Sequence, residues 1–232
     1  MTDPLGTNPW ILELAERSPP LRWDEVFACP IERVELEIGS GKGRFLRDEA
    51  ERRPETGFLG VERAAKWFTI CAKRLRRDGR PNVRVVRTDA FDLLARWIPI
   101  GGLAAAHVLY PDPWPKKRHA KRRLLGPVLF DLVARALRPA GSFHVATDVD
   151  WYFEEATDAL GRHACFIAEE VRILEGTSIE TNYSIKYEKQ GRRLHLARYL
   201  RSDAPAPAIP PPPSRIRRSA STVPSPAPAA GP

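Results

Sequence analysis

The chain has 232 residues, of which 43% are hydrophobic and 28% are charged, so it can form one domain with tails but not two full-sized domains. This composition excludes collagen-like, coiled-coil and wholly disordered proteins. Lys and Arg outnumber Asp and Glu by 37 to 29, and the resulting net charge of +8 favours a polyanionic partner.

Hydropathy and cysteine usage indicate the compartment. No apolar run approaches the roughly 18 to 20 residues of a membrane-spanning helix, and the first residues lack the pattern of a secretion signal. We therefore expect a cytoplasmic protein that does not enter a membrane. Cys29, Cys71 and Cys165 are far apart and form no CxxC or Cys/His cluster, which predicts neither disulfides nor a metal site.

Composition also divides the chain into three parts. Residues 1–30 contain several prolines and scattered apolar positions, which predicts an irregular N-terminal arm. Residues 31–202 have the patterned hydrophobicity of one folded domain. Residues 203–232 are rich in Pro and Ala and have almost nothing to bury, so we predict a disordered C-terminal tail.

Within the domain, short β-rich runs alternate with helical patterns. The predicted strands are 33–39, 57–62, 82–89, 104–111 and 141–148, and the helices that follow them are 41–53, 64–78, 90–97, 121–137 and 151–162. Five strand–helix repeats predict an α/β fold with a doubly wound, mostly parallel sheet. Two further runs, 165–174 and 194–200, are predicted to close the sheet as an antiparallel edge.

A glycine-rich motif follows the first predicted strand. It reads Glu37-Ile-Gly39-Ser-Gly41-Lys-Gly43, and glycines let a backbone turn sharply and approach a ligand at a helix N-terminus. Arg44 stands where a dinucleotide-binding fingerprint has its last glycine, which disfavours a nicotinamide-dependent dehydrogenase. The order of acid and glycines suits an adenosyl ligand without phosphate, and a purely structural glycine turn is the alternative.

Acidic residues end the next two predicted strands. Glu62 follows Glu37 by 25 positions, where a carboxylate would meet the two hydroxyls of a ribose. Asp89, followed by Ala90, ends the third strand and could accept a hydrogen bond from an adenine amino group. Asp89 also precedes a short predicted helix, so an N-cap is an equally good interpretation of this residue alone.

The segment 110–124 combines a rigid loop with a basic run. Asp112 and Trp114 lie among three prolines, which suits a loop that holds side chains in fixed positions. Six basic residues follow within eight positions: Lys116, Lys117, Arg118, Lys121, Arg122 and Arg123. We expect the run to open the helix 121–137, where the helix dipole disfavours cations, so a nucleic-acid backbone should compensate the charge. A solvated charged face is the alternative.

These motifs together resemble the bacterial tRNA (guanine-N7)-methyltransferases, a family with the Rossmann-like class I methyltransferase fold and S-adenosylmethionine as cofactor. The resemblance covers about residues 33–200 and depends most on the block Pro-Asp-Pro-Trp-Pro-Lys-Lys-Arg-His at 111–119. It implies methyl transfer to guanine N7 of tRNA, at guanine 46 in the variable loop. A methyltransferase on another RNA and a non-catalytic RNA-binding protein are the alternatives, and both a monomer and a homodimer remain open.

The resemblance also assigns residues. It implies cofactor contacts for Glu37, Gly39, Gly41, Glu62, Asp89, Ala90 and Asp112, with Asp112 also the catalytic residue. It implies substrate contacts for Lys116 and Asp148, and RNA contacts for Arg118, His119, Lys121, Arg122 and Arg123. From the residues alone, Asp148 could equally cap a helix and His119 could be an exposed bystander.

A substrate element near the end of the domain departs from the family pattern of Thr-x-(Tyr or Phe)-Glu. In one register Thr181 is retained and Ser184 replaces the acid. In the other register Glu188 is retained and Ile185 replaces the hydroxyl. Both Thr181 and Glu188 are therefore candidate substrate contacts.

Overall fold

The computed structural model describes residues 8–169 and 193–208. These residues contain a seven-stranded sheet with the order β3-β2-β1-β4-β5-β7-β6. The strands are β1 Arg33–Ile38, β2 Thr56–Val61, β3 Val83–Val86, β4 Leu103–Leu109, β5 Leu137–Thr147, β6 Phe166–Glu169 and β7 His195–Arg201. Strands β1 to β5 are parallel, and β7 runs antiparallel to both β5 and β6. The predicted doubly wound sheet with an antiparallel edge is confirmed.

The helices follow the strands as predicted, with small differences at their ends. They are α1 Trp23–Val26, α2 Arg44–Arg52, α3 Ala65–Asp78, α4 Ala90–Asp92, α5 Pro127–Ala136 and α6 Asp150–Gly161. Helix α4 continues into a π-helical turn, Leu93–Trp97, closed by a hydrogen bond from the Ile98 N–H to the Leu93 carbonyl. No helix within the described ranges is long and apolar enough to cross a membrane.

The predicted helix 121–137 begins later than expected. The basic run forms a separate 3₁₀ turn, Lys117–Arg122, and α5 begins only at Pro127. Proline has no N–H to donate within a helix and is tolerated in its first turn, so Pro127 sets the helix start. The argument that the basic run meets the positive end of a helix dipole is therefore wrong for this protein.

Two apolar layers cover the two faces of the sheet. Helices α2 and α3 pack on β2 and β3 around Phe45, Leu46, Phe58, Leu75 and Val83. Helices α4, α5 and α6 pack on the opposite face around residues such as Leu36, Val108, Phe130, Phe143 and Tyr152. Burial of both faces is what a parallel sheet with helical crossovers requires.

A buried polar network lies on the face under α2. The carboxylate of Glu35 accepts two hydrogen bonds from Arg53, at 2.6 and 3.0 Å, and lies 3.0 Å from His107 Nε2. Burial opposes ionisation of Glu35, but the contacts with His107 and Arg53 outweigh it and lower its pKa to about 2. The His107 ring stacks on His144 with centroids 4.7 Å apart, which extends the network from β1 across β4 to β5.

The predicted N-terminal arm packs against the domain. The Leu12 N–H donates to the Val85 carbonyl and the Val85 N–H donates to the Trp10 carbonyl, which adds a short extended segment beside β3. Leu12, Leu21 and Phe27 are buried in the core. The boundaries at 30/31 and 202/203 stay predictions, and residues 209–232 of the predicted tail lie outside the described residues.

Gly60 on β2 provides a test of this packing. A Cβ at this position would clash with Leu46 of α2 and meet Ser40 Cβ at 3.0 Å. We expect Gly60→Ala to lower the free energy of unfolding by about 1 to 3 kcal/mol, the usual cost of overpacking. Urea unfolding monitored by circular dichroism measures this change.

Gly161→Ala is the matched control for Gly60→Ala. Gly161 is the exposed last residue of α6, and a Cβ there would meet no atom of the described residues within 4 Å. We expect no loss of stability for this substitution, because Ala is favoured over Gly in a helix by up to about 1 kcal/mol. Equal stability of the two variants would contradict the packing described for Gly60.

Candidate active site at the carboxyl edge of the sheet

The strand order brings the predicted acids to one edge of the sheet. β1 lies between β2 and β4, and the chain reverses its winding direction between β1 and β4. Crevices at such a switch point, outside the carboxyl ends of the strands, are where open α/β sheets bind ligands. Glu37, Glu62, Asp89 and Asp112 all lie at or just beyond the carboxyl ends of successive strands β1 to β4.

The glycine loop after β1 has the backbone that the motif predicts. Gly39, Gly41 and Gly43 have φ values of 80°, 53° and 71°, a region in which residues with side chains are strained. Gly43 also packs on Cys71 of α3 so closely that a Cβ would clash with the thiol sulfur. The positive φ values and the close packing of Gly43 on Cys71 therefore together fix the shape of the loop. The loop leads directly into α2, which starts beside the crevice.

Glu62 is fixed by the same loop. Its Oε2 accepts a hydrogen bond from the Gly41 N–H at 2.9 Å, and its Oε1 accepts one from the Ala64 N–H at 2.7 Å. Two backbone donors on the two oxygens leave each oxygen a free lone pair in a defined direction. A carboxylate held in this way can accept hydrogen bonds from a pair of neighbouring hydroxyls.

Glu37 is the most unusual group of the edge. Only 4% of the residue is exposed, and its Oε2 is buried without a hydrogen-bond partner among the described residues. Burial, and secondarily the nearby charge of Glu62, raises the pKa of Glu37 well above its usual range. A buried unpartnered carboxyl is costly to the free protein, which points to a ligand that supplies a donor or a positive charge.

Asp89 has a defined structural role. Its carboxylate accepts a hydrogen bond from the Phe91 N–H at 2.9 Å and so caps α4, which begins at Ala90. The N-cap interpretation is therefore confirmed. Capping uses Oδ1, while Oδ2 lies 4.0 Å from the guanidinium of Arg63, and 45% of the Asp89 side chain is exposed.

The loop after β4 is held in a strained conformation. Tyr110 and Trp114 flank Asp112 and have φ values of 54° and 45°, which non-glycine residues adopt only at an energetic cost. The Tyr110 N–H donates to the Ala146 carbonyl at 2.7 Å, which ties the start of the loop to β5. Asp112 itself is exposed at the tip. Strain of this kind is typical of loops that hold functional side chains.

The basic run continues from this loop as an exposed surface. The side chains of Lys116, Lys117, Arg118, Lys121 and Arg122 are exposed, and His119 is half-buried. The Trp114 ring lies inside the run, edge-on to His119 at 5.6 Å and under the Arg122 guanidinium at 4.9 Å. The Trp114 ring therefore packs against His119 and Arg122 within the basic run.

Arg123 differs from the other basic residues. Its side chain is only 15% exposed, and its guanidinium forms an ion pair with Glu155 of α6 at 2.9 Å. It also lies over the Trp151 ring at 4.7 Å from the centroid, and its Nε donates to the Trp114 carbonyl at 3.4 Å. Arg123 thus attaches the basic run to α6.

The remaining predicted residues lie at the same edge or outside the described ranges. Asp148 follows β5 and is half-buried, and the Val149 N–H donates to the Thr147 hydroxyl at 3.3 Å. Thr181 and Glu188 lie outside the described residues, so both registers stay open. Among the described residues, no group of three or more His, Cys, Asp or Glu side chains is placed to hold a metal ion.

Sequence reasoning missed one pair at this edge. His195 at the start of β7 is 2.5 Å from Asp150 and stacks on Phe153, with ring centroids 4.8 Å apart. It reaches the edge because β7 is antiparallel and its first residue pairs with Thr147, the last residue of β5. No local motif indicates this pairing, since Asp150 and His195 are 45 positions apart.

Comparison with solved structures identifies the class of fold. The aminoglycoside resistance methyltransferase NpmB1 is 20% identical, with a TM-score of 0.53 over 74% of this chain and 88% of that one. A variant of the 16S rRNA (adenine(1408)-N(1))-methyltransferase from Catenulisporales acidiphilia, solved with cosubstrate SAM, is 18% identical. Its TM-score is 0.53 over 77% of this chain and 89% of that one. The fold is that of the Rossmann-like methyltransferases.

Sequence comparison narrows this class. Residues 32–199 match the model of the family described as "Putative methyltransferase". The tRNA (guanine-N(7)-)-methyltransferase of Nitrosococcus oceani is 38% identical over 186 residues, covering 79% of this chain and 77% of that protein. The protein of the same name from Geobacter metallireducens is 34% identical, covering 84% of this chain and 94% of that protein. The chain therefore belongs to the tRNA (guanine-N(7)-)-methyltransferase family, and it is an enzyme.

The buried carboxyl of Glu37 leads to a prediction about stability and pH. Because the pKa of Glu37 is raised in the folded state, this carboxyl releases a proton on unfolding, and its contribution to stability falls as pH rises above the ordinary carboxyl pKa. Gln is a neutral isostere and removes this penalty. We expect Glu37→Gln to be more stable than the wild type at pH 8, by about 0.5 to 2 kcal/mol.

The measurement is urea unfolding of both proteins without added ligand at pH 5 and pH 8. The advantage of Glu37→Gln should be larger at pH 8 than at pH 5, because the wild-type penalty grows with pH. Glu154→Gln, a change at an exposed position on α6, is the control and should shift neither value. A Glu37→Gln protein that is less stable than the wild type at pH 8 would contradict the prediction.

Proposed function

We propose that this enzyme transfers a methyl group from S-adenosylmethionine to N7 of a guanine in tRNA, at guanine 46 of the variable loop, in the cytoplasm. The observation that carries the proposal is the buried carboxyl of Glu37 beside the glycine loop and Glu62, whose Oε2 has no hydrogen-bond partner in the described part of the chain. Membership of the tRNA (guanine-N(7)-)-methyltransferase family supports guanine N7 as the methyl acceptor and tRNA as the substrate.

The residues at the edge fit this cofactor. Glu62, held by two backbone N–H groups, suits the ribose hydroxyls, and Asp89 with Ala90 suits the adenine. Gly39 and Gly41 leave space for close approach of the ligand. Among residues 8–169 and 193–208, a Cβ at Gly39 would meet no atom within 4 Å, and one at Gly41 would meet only the Gly39 carbonyl at 4.0 Å. The buried Glu37 carboxyl, whose Oε2 lacks a hydrogen-bond partner among the described residues, suits the cationic part of the molecule. The cofactor, when bound, supplies a methyl group attached to a positively charged sulfur.

Positioning and electrostatics dominate the proposed mechanism. Guanine N7 carries no proton at neutral pH and has a free lone pair, so no general base has to uncover the nucleophile. The protein holds the base in line with the methyl group. Asp112, presented by the strained loop between Tyr110 and Trp114, stabilises the positive charge that develops on the base. Contacts with the base or nearby nucleotides are proposed for Lys116, Asp148, Thr181 and Glu188.

The exposed basic run is the proposed RNA surface. His119 and Arg122 lie against the Trp114 ring beside the active-site loop, and together with the exposed Arg118 and Lys121 they contact phosphates. Arg123, whose guanidinium pairs with Glu155, serves the same surface by holding the run against α6. Attachment at this point keeps the phosphate contacts at a constant distance from Asp112.

The test of the function is direct. The full-length protein is incubated with tRNA transcripts and S-adenosylmethionine carrying a radiolabelled methyl group, and the labelled nucleoside is identified after digestion. Label in 7-methylguanosine that disappears when guanine 46 is replaced supports the whole proposal. Label that persists after this replacement contradicts guanine 46. Label only in another RNA assigns a different substrate, and no label with any RNA overturns methyl transfer.

Replacement of Asp112 tests the catalytic assignment. We expect Asp112→Ala to lower kcat by roughly 100-fold to 1000-fold, the usual cost of removing one preorganised electrostatic contact. The Kd for S-adenosylmethionine, measured by calorimetry, should change far less than kcat. Asp158→Ala, at an exposed position on α6, should keep wild-type turnover. Unchanged turnover of Asp112→Ala would exclude Asp112 as the catalytic residue.

Replacement within the basic run tests the RNA surface. Each lost phosphate contact should reduce the slope of log affinity for tRNA against log salt concentration by about 0.7 to 0.9. The double variant Lys121→Ala/Arg122→Ala should therefore bind tRNA more weakly with a slope lower by roughly 1.5, while its Kd for the cofactor stays at the wild-type value. An unchanged salt slope would show that these side chains do not contact phosphates.

A further inference from the structure

A second concentration of positive charge lies on α3. This helix carries five Lys or Arg residues and one acid, Asp78. Asp78 forms ion pairs with Arg77 of the same helix and with Arg47 of α2, so it neutralises none of the cations near the start of α3. The functions proposed for the basic run after β4 and for the glycine motif give no role to this positive charge on α3.

Near the start of α3, two lysine side chains lie against one aromatic ring. The ammonium groups of Lys42, from the glycine loop, and Lys66 lie 5.1 and 4.9 Å from the centroid of the half-buried Trp67 ring. Such distances are within the range of cation–π attraction. Arg63, directly after Glu62 and three positions before Lys66 in the chain, has 83% of its side chain exposed. We call Lys42, Arg63, Lys66 and Trp67 the α3 patch.

The α3 patch has little internal compensation. Among the described residues, no carboxylate lies within 4.0 Å of the ammonium of Lys42 or Lys66. The nearest carboxylate oxygen to Arg63 is Asp89 Oδ2 at 4.0 Å, the limit of an ion pair. Two ammonium groups on one ring repel each other, so an external anion would lower the free energy of this arrangement.

The position of the α3 patch relates it to the active site. Arg63 follows β2 and Lys42 follows β1, so the patch lies at the carboxyl edge of the sheet, while the basic run follows β4 on the other side of β1. β2 and β4 are separated by two strand spacings, about 10 Å. A polyanion whose base reaches Asp112 therefore passes within reach of both basic surfaces.

We propose that the α3 patch is a second binding surface for the RNA backbone, on the opposite side of the active site from the basic run. The proposal rests on the proposed function, since it takes the same RNA as the substrate. Arg63 and Lys66 contact phosphates, and Trp67 holds Lys42 and Lys66 in place through its ring. Three cations in one surface patch suit a chain of phosphates better than a small cofactor with a single carboxylate.

The experiment measures tRNA binding at several salt concentrations, with full-length protein and without turnover. The variant is Arg63→Ala/Lys66→Ala, which leaves Lys42 and the glycine loop intact. We expect roughly tenfold weaker binding at moderate salt and a salt slope reduced by about 1.5, from two lost phosphate contacts. Arg138→Ala, an exposed arginine at the opposite edge of the sheet, is the control and should keep wild-type affinity.

A second variant separates charge from geometry. Trp67→Leu retains every cation, so it should weaken tRNA binding by a few-fold without changing the salt slope. The Kd for S-adenosylmethionine is measured on all variants by calorimetry. The proposal requires that it stay unchanged for Arg63→Ala/Lys66→Ala.

Each outcome has a distinct meaning. Wild-type tRNA affinity and salt slope in Arg63→Ala/Lys66→Ala would overturn the α3 patch, while the basic-run variant still reports on the proposed function. A loss of cofactor affinity with unchanged tRNA affinity would assign the patch to the cofactor and would also overturn it. A wild-type protein that does not bind tRNA would contradict the proposed function itself, before any variant is compared.

Discussion

The close fit of the glycine loop between β2 and α3 is the constraint on which the active site depends. A Cβ at Gly43 would clash with Cys71, and a Cβ at Gly60 would clash with Leu46. Because neither position has room for a side chain, the loop approaches β2 closely enough for the Gly41 N–H to reach Glu62 at 2.9 Å. Glu37, on the strand that leads into this loop, is buried. One steric condition thus holds the glycine loop against Glu62.

Two glutamates on β1 show how environment decides the role of a carboxyl. Glu35 and Glu37 are two positions apart and lie on the same face of the sheet. Glu35 is neutralised by Arg53 and His107, so it stabilises the fold. Glu37 is buried without such partners among the described residues, and its pKa is raised. The buried Glu37 carboxyl therefore lowers the stability of the free protein at a position where a bound ligand can supply the missing partner. Such a trade of stability for function is typical of functional sites.

Acidic and basic side chains occupy different positions along the carboxyl edge of the sheet. The acids lie at the ends of β3, β2, β1 and β4, and the exposed cations lie in two groups, one after β4 and one at the start of α3, which follows β2. Trp114 and Trp67 each hold basic side chains against a ring, and the contact of Arg123 with Glu155 attaches one of the two surfaces to α6. This arrangement suits a cationic cofactor in the centre and an anionic polymer across it.

The sequence by itself determined the strand–helix order, the parallel sheet with its antiparallel edge, the glycine loop and the acids at the strand ends. These features are encoded locally, in hydrophobic periodicity, in glycine and in residues that follow strands. Periodicity also suggested a helix from 121, but the proline at 127 decided its start. The networks Glu35–His107 and Arg123–Glu155 join residues 72 and 32 positions apart. Only the tertiary structure decided them, because partners in space leave no pattern in the sequence around either residue.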